Sequence, residues 1–343
     1  MSKRPPAFQD PVAPILWRGK ALKVLDQRLL PRRVAYLECR AAAEVAEAIR
    51  SMALRGAPLI GCAAAFGMAL AARAGREELE KAARLLKASR PTAVNLAHAV
   101  EKMLAQARAC DDGNLKDHLA RAAQAYYQED LRANRAMARL GASLLKKGSR
   151  VITYCNAGAL ATAGLGTSLG VIRYGHALGK VTQVYACETR PYLQGSRLTL
   201  WELMQAKVPA TLITDNMAAH LMKTKEIGAV IVGSDRIAAN ADVCNKIGTY
   251  GLAILARHHG IPFYVVAPST SVDLLAPDGG AIPIEERAPE EVLEIFGRPI
   301  APKGARAHHF AFDVTPHELV TAIVTEKGVI RPANGRALRR VLA

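Results

Sequence analysis

The sequence has few aromatic residues, no closely spaced cysteines and no clear membrane-spanning run. Aromatic residues make up 5% of the 343 positions, and this leaves few rings on which the bases of a single-stranded nucleic acid could stack. The six cysteines lie far apart, without a C-x-x-C pair or a Cys/His cluster. That spacing excludes the common zinc sites and favours reduced thiols, so we expect a cytoplasmic protein without a bound metal.

The sequence also gives little indication of targeting to a membrane. Residues 1 to 13 are a mixed, proline-containing segment, which we interpret as an arm and not as a signal peptide. The longest uncharged run, residues 56 to 72, is rich in Ala and Gly and reaches only the low end of the roughly 17 to 25 residues that a membrane span needs. We therefore predict a buried helix there and no membrane partner.

Positive charge is abundant, with 46 Lys and Arg against 30 Asp and Glu and a net charge of +16. A basic face could bind nucleic acid, but these residues are spread along the chain, with a surplus in residues 1 to 40 and after Lys327. A basic protein that attracts a small phosphorylated substrate explains the charge equally well. We expect such a substrate and no nucleic-acid partner.

The length and the 50% apolar content predict two domains. Residues 15 to 39 alternate apolar and polar side chains and predict two or three strands, whereas residues 41 to 147 have helical spacing, interrupted at Gly56, Gly75, Pro91 and Gly113. Residues 1–147 are therefore predicted to form a mainly helical N-terminal domain with a small β-sheet.

From Gly148 onward, short β-rich runs alternate with helical ones, which predicts an α/β fold with a parallel sheet. Residues 148–343 should thus form a Rossmann-like C-terminal domain. Its predicted strands are residues 151–154, 181–186, 210–214, 229–232 and 263–267. Their carboxyl ends should bring polar groups to one crevice. The residues at this edge are Cys155, Glu188, Asp215, Asp235 and Pro268.

Residues 228 to 249, GAVIVGSDRIAANADVCNKIGT, place an acid directly after an apolar strand. Asp235 is followed ten residues later by Asn245 and Lys246, just before a predicted helix. This arrangement can present catalytic and anion-binding groups. Asp235 could equally form a salt bridge with Arg236, because a general acid needs burial to keep its proton near neutral pH.

Cys155 in TYCNAGALAT lies at a predicted strand end, before Asn156 and Gly158. A free cysteine is commonly a small buried hydrophobe. At a strand end, however, exposed backbone N–H groups can lower the pKa of a thiol and make it reactive. Both interpretations remain open from spacing alone.

Two arginines stand at predicted joints between helices. Arg55-Gly56-Ala57-Pro58 either ends one helix and begins the next, or offers a guanidinium and bare amides to a phosphate; Arg90 precedes Pro91 in a similar joint. The glycines of AGLGTSLG (163 to 170) lie too far from the preceding strand for a dinucleotide fingerprint, so we expect no nicotinamide cofactor.

Several motifs together resemble the methylthioribose-1-phosphate isomerases of methionine salvage. They are RGAPLIG (55–61), SRPTAVNL (89–96), TYCNAGALAT (153–162), ETRPYLQGSRLTLWEL (188–203) and the segment from Val232 to Pro268. The resemblance runs from about Leu16 to Ile330. It implies the two-domain architecture predicted above, a homodimer, and a fold shared with regulatory subunits of the eukaryotic translation initiation exchange factor.

The resemblance implies conversion of 5-methylthioribose 1-phosphate to 5-methylthioribulose 1-phosphate without a cofactor. Asp235 would be the proton donor and Cys155 would assist the transition state. Substrate would be bound by Arg55, Gly56, Ala57, Arg90, Gln194, Asn245 and Lys246. The sequence leaves open whether hydrogen moves through an enediol or as a hydride.

Other functions of the same fold also remain open. The segment AANAD (238–242), His98 and Cys187 depart from the common family pattern, although none of these departures affects Asp235 or Cys155. The alternatives are an isomerase of 5-deoxyribose 1-phosphate or ribose 1,5-bisphosphate, and a noncatalytic regulatory binding protein. A noncatalytic protein has no need of the Cys155 and Asp235 pair, so an enzyme is favoured.

Overall fold

The structure, a computed structural model, describes Asp10, residues 13–90 and residues 94–343. Most of the predicted N-terminal arm and the Pro91 and Thr92 part of the second interhelical joint lie outside the described residues. The described chain begins with an antiparallel sheet of three strands, in which Ile15 pairs with Val24 and Leu22 with Cys39. These strands are β1 (Ile15–Trp17), β2 (Leu22–Leu25) and β3 (Tyr36–Cys39). The predicted small sheet is confirmed.

A bundle of helices follows: α1 (Ala42–Arg50), α2 (Ala57–Ala71), α3 (Arg76–Ser89), α4 (Val94–Arg108) and α5 (Leu115–Ser143). The predicted buried helix is α2, which is apolar all round and lies inside the bundle. The stretch Ala57–Ala74 is long and apolar enough to cross a membrane, but 83% of it is buried in the protein, as expected of a core helix. Helix α1 ends earlier than predicted, at Arg50, because Met52 adopts a positive φ of 60°.

The rest of the chain contains most of the strands. They are β4 (Ser149–Thr153), β5 (Val181–Cys187), β6 (Ala210–Ile213), β7 (Ile227–Val232), β8 (Arg236–Ala238), β9 (Val243–Lys246), β10 (Phe263–Val266), β11 (Val272–Asp273), β12 (Glu294–Ile295), β13 (Arg298–Pro299), β14 (Phe312–Thr315), β15 (Ala322–Thr325) and β16 (Gly328–Ile330). The helices between and after them are α6 (Ser168–Ala177), α7 (Leu200–Gln205), α8 (Ala218–Thr224), α9 (Thr249–His258), α10 (Glu290–Leu293) and α11 (Gly335–Leu342).

A seven-stranded sheet has the order β16-β15-β10-β7-β4-β5-β6. Its strands are parallel except at the β15–β16 pair. Strands β4, β7 and β10 are buried along most of their length because helices cover both faces of the sheet. All five predicted strands belong to this sheet, so the predicted α/β fold with a helical N-terminal part and a parallel C-terminal sheet is confirmed.

A second, four-stranded sheet of order β11-β8-β9-β14 was not predicted. The segment after Asp235 folds into the antiparallel pair β8 and β9. Lys246 is the last residue of β9, three residues before helix α9 begins at Thr249. Helix α5 and strand β4 are joined near residue 147. The division into domains 1–147 and 148–343 stays a prediction.

Candidate active site

The nine residues proposed from the sequence line one cavity of about 1060 Å³, a volume that includes space open to solvent. They are Arg55, Gly56, Ala57, Arg90, Cys155, Gln194, Asp235, Asn245 and Lys246. Apolar side chains complete part of the wall, among them Met52, Ile60 and Phe312. Residues from widely separated parts of the sequence thus surround a single space.

Cys155 and Asp235 reach the cavity from neighbouring strands of the large sheet. Cys155 follows β4 and Asp235 follows β7, and these two strands pair in parallel. Because parallel strands end at the same edge, both side chains arrive at that edge. Glu188 and Asp215 were also expected at this crevice, but in the described part of the chain neither residue lines the cavity, so that expectation is wrong. Asp215 instead accepts hydrogen bonds, both 2.8 Å, from the N–H groups of Thr189 and Arg190.

The backbone at Cys155 is held in a left-handed conformation, with φ of 61°. This conformation is uncommon for a residue with a side chain and needs support from its surroundings. The Cys155 N–H donates to Thr189 Oγ1 at 2.8 Å, and its carbonyl accepts from Thr199 Oγ1 at 2.6 Å. Two threonines therefore fix the direction in which the thiol points.

Arg55 is 7% exposed and is held by the residue that follows Cys155. Its Nη1 donates to Asn156 Oδ1 at 2.5 Å, and its Nη2 donates to the Asn156 carbonyl at 2.7 Å. Asn156 in turn donates through Nδ2 to Glu202 Oε1 at 2.8 Å. A chain of hydrogen bonds thus links the guanidinium to a buried carboxylate.

The Arg55-Gly56-Ala57 segment enters helix α2 next to a short 3₁₀ helix, Ala159–Ala161. Gly56 has φ of +98°, and a Cβ there would lie 2.5 Å from Cα of Ala161. Glycine is therefore required by both conformation and space. Ala57 begins α2, so the first N–H groups of that helix lie at the cavity wall and can receive an anion.

Lys246 and Asn245 are positioned by strand β9. Lys246 Nζ donates to the Ala311 carbonyl at 2.7 Å and lies 4.5 Å from the ring centroid of Phe312. Asn245 Nδ2 donates to Thr249 Oγ1 at 3.0 Å, so the amide oxygen is the end of that side chain that can accept from a ligand. Both residues are buried.

Gln194 and Arg90 complete the polar wall. Gln194 is 3% exposed, and among the described residues its Oε1 has no hydrogen-bond partner. A buried oxygen without a partner costs free energy unless a ligand or a water donates to it. Arg90 Nη1 lies 3.2 Å from Met52 Sδ, and Arg236 pairs with Asp273 at 3.4 Å, which gives Arg236 a carboxylate partner other than Asp235.

Burial controls the protonation of the acid and the thiol. It raises the pKa of the Asp235 carboxyl, and the cations Lys246, Arg90 and Arg55 offset part of that rise. Burial likewise raises the pKa of the Cys155 thiol, which Arg55 and Lys246 lower in part. The possibility that backbone N–H groups make Cys155 acidic is therefore wrong, since desolvation outweighs them.

Burial also lowers the pKa values of Lys246 and Arg90, while Cys155 and Asp235 act to raise that of Lys246. The cavity thus combines an acid and a thiol whose pKa values burial raises with the cations Arg55, Arg90 and Lys246. Such a site favours an anionic ligand. A group of possible metal ligands, Asp242, His317 and Glu318, lies elsewhere, and Asp242 already accepts from the His317 and Gly279 N–H groups.

The family model of the initiation factor 2 subunit family matches residues 53–332 of this chain. The chain belongs to this family. A curated member named methylthioribose-1-phosphate isomerase, from Chloroflexus aurantiacus, is 53% identical over 338 residues, which cover 95% of this chain and 97% of the relative. The relationship therefore extends over nearly the whole protein.

Two solved structures of the initiation factor 2 subunit family are similar to this one. The 5-methylthioribose 1-phosphate isomerase of Pyrococcus horikoshii has a TM-score of 0.90 and 42% identity, covering 96% of this chain and 95% of that one. A structure named as translation initiation factor eIF-2B, subunit delta, from A. fulgidus has a TM-score of 0.85 and 44% identity, covering 96% and 99%. Relatives of similar identity thus carry an enzyme name and a translation-factor name.

The sequence did not identify the residues that support the cavity from behind. The loop of Cys155 and Asn156 is held by hydrogen bonds to Thr189, Thr199 and Glu202. These three residues are spread over the segment 188–203, whose conformation the sequence did not predict. One signal existed, since Glu202 is a lone acid in the apolar run LTLWEL. A carboxylate among apolar neighbours is buried only where it is hydrogen-bonded.

Proposed function

We propose that the protein converts 5-methylthioribose 1-phosphate to 5-methylthioribulose 1-phosphate, with Asp235 as the acid and Cys155 assisting. The observation that carries the proposal is the single cavity around all nine predicted residues. The 53% identity to a curated methylthioribose-1-phosphate isomerase supports the same reaction. The acid and thiol, needed together for chemistry, favour an enzyme over a noncatalytic binding protein.

The first step is opening of the sugar ring. Phosphate on the anomeric oxygen prevents free opening to an aldehyde, so the ring oxygen must be protonated while its bond to C1 breaks. Asp235 donates this proton, which becomes the hydrogen of the C4 hydroxyl. Burial raises the pKa of Asp235, which favours the protonated form that a general acid needs.

The second step moves hydrogen from C2 to C1. In a hydride route, the hydrogen leaves C2 with its electron pair and adds to the electron-poor C1, while the C2 hydroxyl returns its proton to the Asp235 carboxylate and becomes the ketone. In an enediol route, a base removes the C2 hydrogen as a proton and C1 later receives one. We favour the hydride route, because burial raises the pKa of Cys155 and a neutral thiol is a poor base.

Substrate is held by its phosphate and its hydroxyls. Arg55, Lys246 and Arg90 supply positive charge, and the N–H groups at the start of α2 supply donors. Gln194 Oε1, which has no partner in the described part of the chain, and the amide oxygen of Asn245 can accept from sugar hydroxyls. The apolar wall at Met52 and Ile60 suits an uncharged substituent at C5 better than a second phosphate.

A turnover assay tests the function. Purified protein is given methylthioribose 1-phosphate, 5-deoxyribose 1-phosphate or ribose 1,5-bisphosphate, and ketose 1-phosphate formation is measured. We expect the highest kcat/KM for methylthioribose 1-phosphate. A preference for 5-deoxyribose 1-phosphate is the main alternative, since a methylthio group and a methyl group differ by roughly 1–3 kcal/mol in an apolar pocket. No turnover of any of the three would favour the noncatalytic role suggested by the A. fulgidus structure's name.

We further propose that the enzyme is a cytoplasmic homodimer that needs no metal or cofactor. All six cysteines, which lie within the described ranges, are free thiols, as expected in a reducing compartment. Sedimentation of the purified protein at several concentrations tests the dimer, and turnover in the presence of a chelator tests the metal independence.

A further inference from the structure

Glu202 is a buried carboxylate outside the set of residues used in the proposed chemistry. It lies on α7, is 2% exposed, and is absent from the residues that line the cavity in the described chain. Its Oε1 accepts from Asn156 Nδ2 at 2.8 Å and from the Leu160 N–H at 3.3 Å, while its Oε2 accepts from the Ala159 N–H at 2.7 Å. A buried carboxyl group that accepts three hydrogen bonds has a defined structural task.

The first connection from Glu202 to the cavity passes through Asn156. The side-chain amide of Asn156 has a donor end, Nδ2, and an acceptor end, Oδ1. Its Nδ2 donates to Glu202 Oε1 and, at 3.2 Å, to Thr199 Oγ1. The acceptor end must then face the other way, toward Arg55, whose Nη1 donates to it at 2.5 Å. The carboxylate therefore decides which end of the amide Arg55 meets.

The second connection passes through the backbone. Glu202 holds the N–H groups of Ala159 and Leu160 in the 3₁₀ helix whose last residue, Ala161, is packed against Gly56. The carboxylate comes so near the chain that a Cβ on Gly158 would lie 2.4 Å from its Oε2. One side chain thus supports both the guanidinium of Arg55 and the backbone that follows it.

We propose that Glu202 is a positioning residue that orients Arg55 and the Gly56-Ala57 backbone for the phosphate of the substrate. The inference rests on the proposed function only in assigning a phosphate to Arg55. Phosphate binding can be measured without turnover, so a failure of this inference is distinguishable from a failure of the isomerase assignment.

The test uses a single variant and a compensating double variant. In Glu202→Gln, the oxygen of the new amide must face Ala159 to accept from its N–H. The N–H₂ of that amide then faces Asn156. Asn156 must therefore turn its own oxygen toward position 202 and its N–H₂ toward Arg55. In Glu202→Gln/Asn156→Asp, the carboxylate introduced at position 156 accepts from both the amide introduced at position 202 and Arg55, so the orientation is restored. Asp130→Asn is the matched control, because Asp130 also accepts from a backbone N–H, of Ala163, and from a side-chain amide, of Asn134.

Affinity for inorganic phosphate is measured by calorimetry, and KM and kcat are measured for methylthioribose 1-phosphate. We expect Glu202→Gln to weaken phosphate binding and to raise KM tenfold or more, with a smaller change in kcat. The double variant should bind phosphate at least threefold more tightly than Glu202→Gln does. The phosphate affinity of Asp130→Asn should stay within threefold of that of the wild type. A purely structural role would lower the melting temperature without this recovery.

Equal phosphate affinity in the wild type and Glu202→Gln would overturn the proposal, as would a double variant weaker than the single one. If Glu202→Gln does not fold, Asn156→Ala removes the amide while leaving the hydrogen bonds from the Ala159 and Leu160 N–H groups to Glu202. Wild-type phosphate affinity and KM in folded Asn156→Ala would also overturn the role assigned to the Glu202–Asn156–Arg55 chain.

Discussion

Gly56 lies so close to Ala161 that a Cβ on Gly56 would be 2.5 Å from the Ala161 Cα and 2.7 Å from its carbonyl oxygen. We expect Gly56→Ala to lower kcat/KM at least tenfold, because the backbone next to Arg55 must shift. It should also lower the free energy of unfolding by about 2–4 kcal/mol, through strain at positive φ and the steric clash. Steady-state kinetics and urea unfolding measure the two effects.

Gly75→Ala is the matched control for this substitution. Gly75 has φ of +99°, almost the same as Gly56, but a Cβ there would meet nothing within 4 Å. It should therefore show the conformational strain alone, about 1–2 kcal/mol, with normal kinetics. Equal kinetics in the two variants would show that the contact with Ala161 has no part in activity.

Replacing the proposed acid or thiol should abolish most turnover without unfolding the protein. We expect Asp235→Asn to lower kcat by 10²-fold or more, since general acid catalysis contributes roughly 10²–10⁴-fold. Cys155→Ala should lower kcat to a similar extent, because the thiol is proposed to assist the transition state. Circular dichroism and the melting temperature serve as folding controls. Retained turnover in Asp235→Asn would remove it as the proton donor.

The pH dependence of activity follows from the raised pKa of Asp235. Because we propose the protonated carboxyl as the active form, kcat/KM should be maintained below that pKa and fall tenfold per pH unit above it. Residual activity of Asp235→Asn should lack this alkaline limb. A limb that persists in the variant would assign the titration to another group.

Isotope labelling distinguishes the two routes of hydrogen movement. We expect the product formed in D₂O to carry no solvent deuterium at C1, because burial raises the pKa of Cys155 and leaves a neutral thiol instead of a base. Mass spectrometry of the ketose phosphate measures the label. Incorporation of one deuterium per turnover would instead support the enediol route.

Stability should depend on pH through Asp130, whose pKa burial raises to about 6 from 3.8. A group whose folded pKa is raised stabilises the protein fully below the unfolded pKa and loses this contribution as pH rises through the folded pKa. Relative to Asp130→Asn, the wild type should therefore lose about 2 kcal/mol between pH 4 and 7. Roughly 1 kcal/mol of the loss falls between pH 5 and 7, where urea unfolding can measure it.

The sequence predicted which residues lie together at the cavity better than it predicted the smaller strands. Cys155 and Asp235 could be placed because residues that follow neighbouring parallel strands share one edge. The four-stranded sheet escaped prediction because its strands are short, such as Val272–Asp273, and are formed by pairing with distant segments. Two to four residues carry too little periodicity to distinguish a strand from a loop.

The orientation of the site could not be read from the sequence either. The positive φ of Cys155 results from its contacts with Thr189 and Thr199, which lie more than 30 residues away. The strand conformation of Lys246 likewise depends on pairing with Phe312. Tertiary contacts, not local preference, determine both conformations.

Helix α5 contributes side chains to two hydrophobic cores of the protein. Leu119 and Ala123 belong to the hydrophobic core of the helical bundle, whereas Met137, further along the same helix, belongs to a core beneath the large sheet. Neither core can melt without withdrawing side chains from the other. Heating should accordingly produce one cooperative transition, with a calorimetric enthalpy equal to the van't Hoff enthalpy. Activity should be lost at the same temperature at which the helical bundle unfolds.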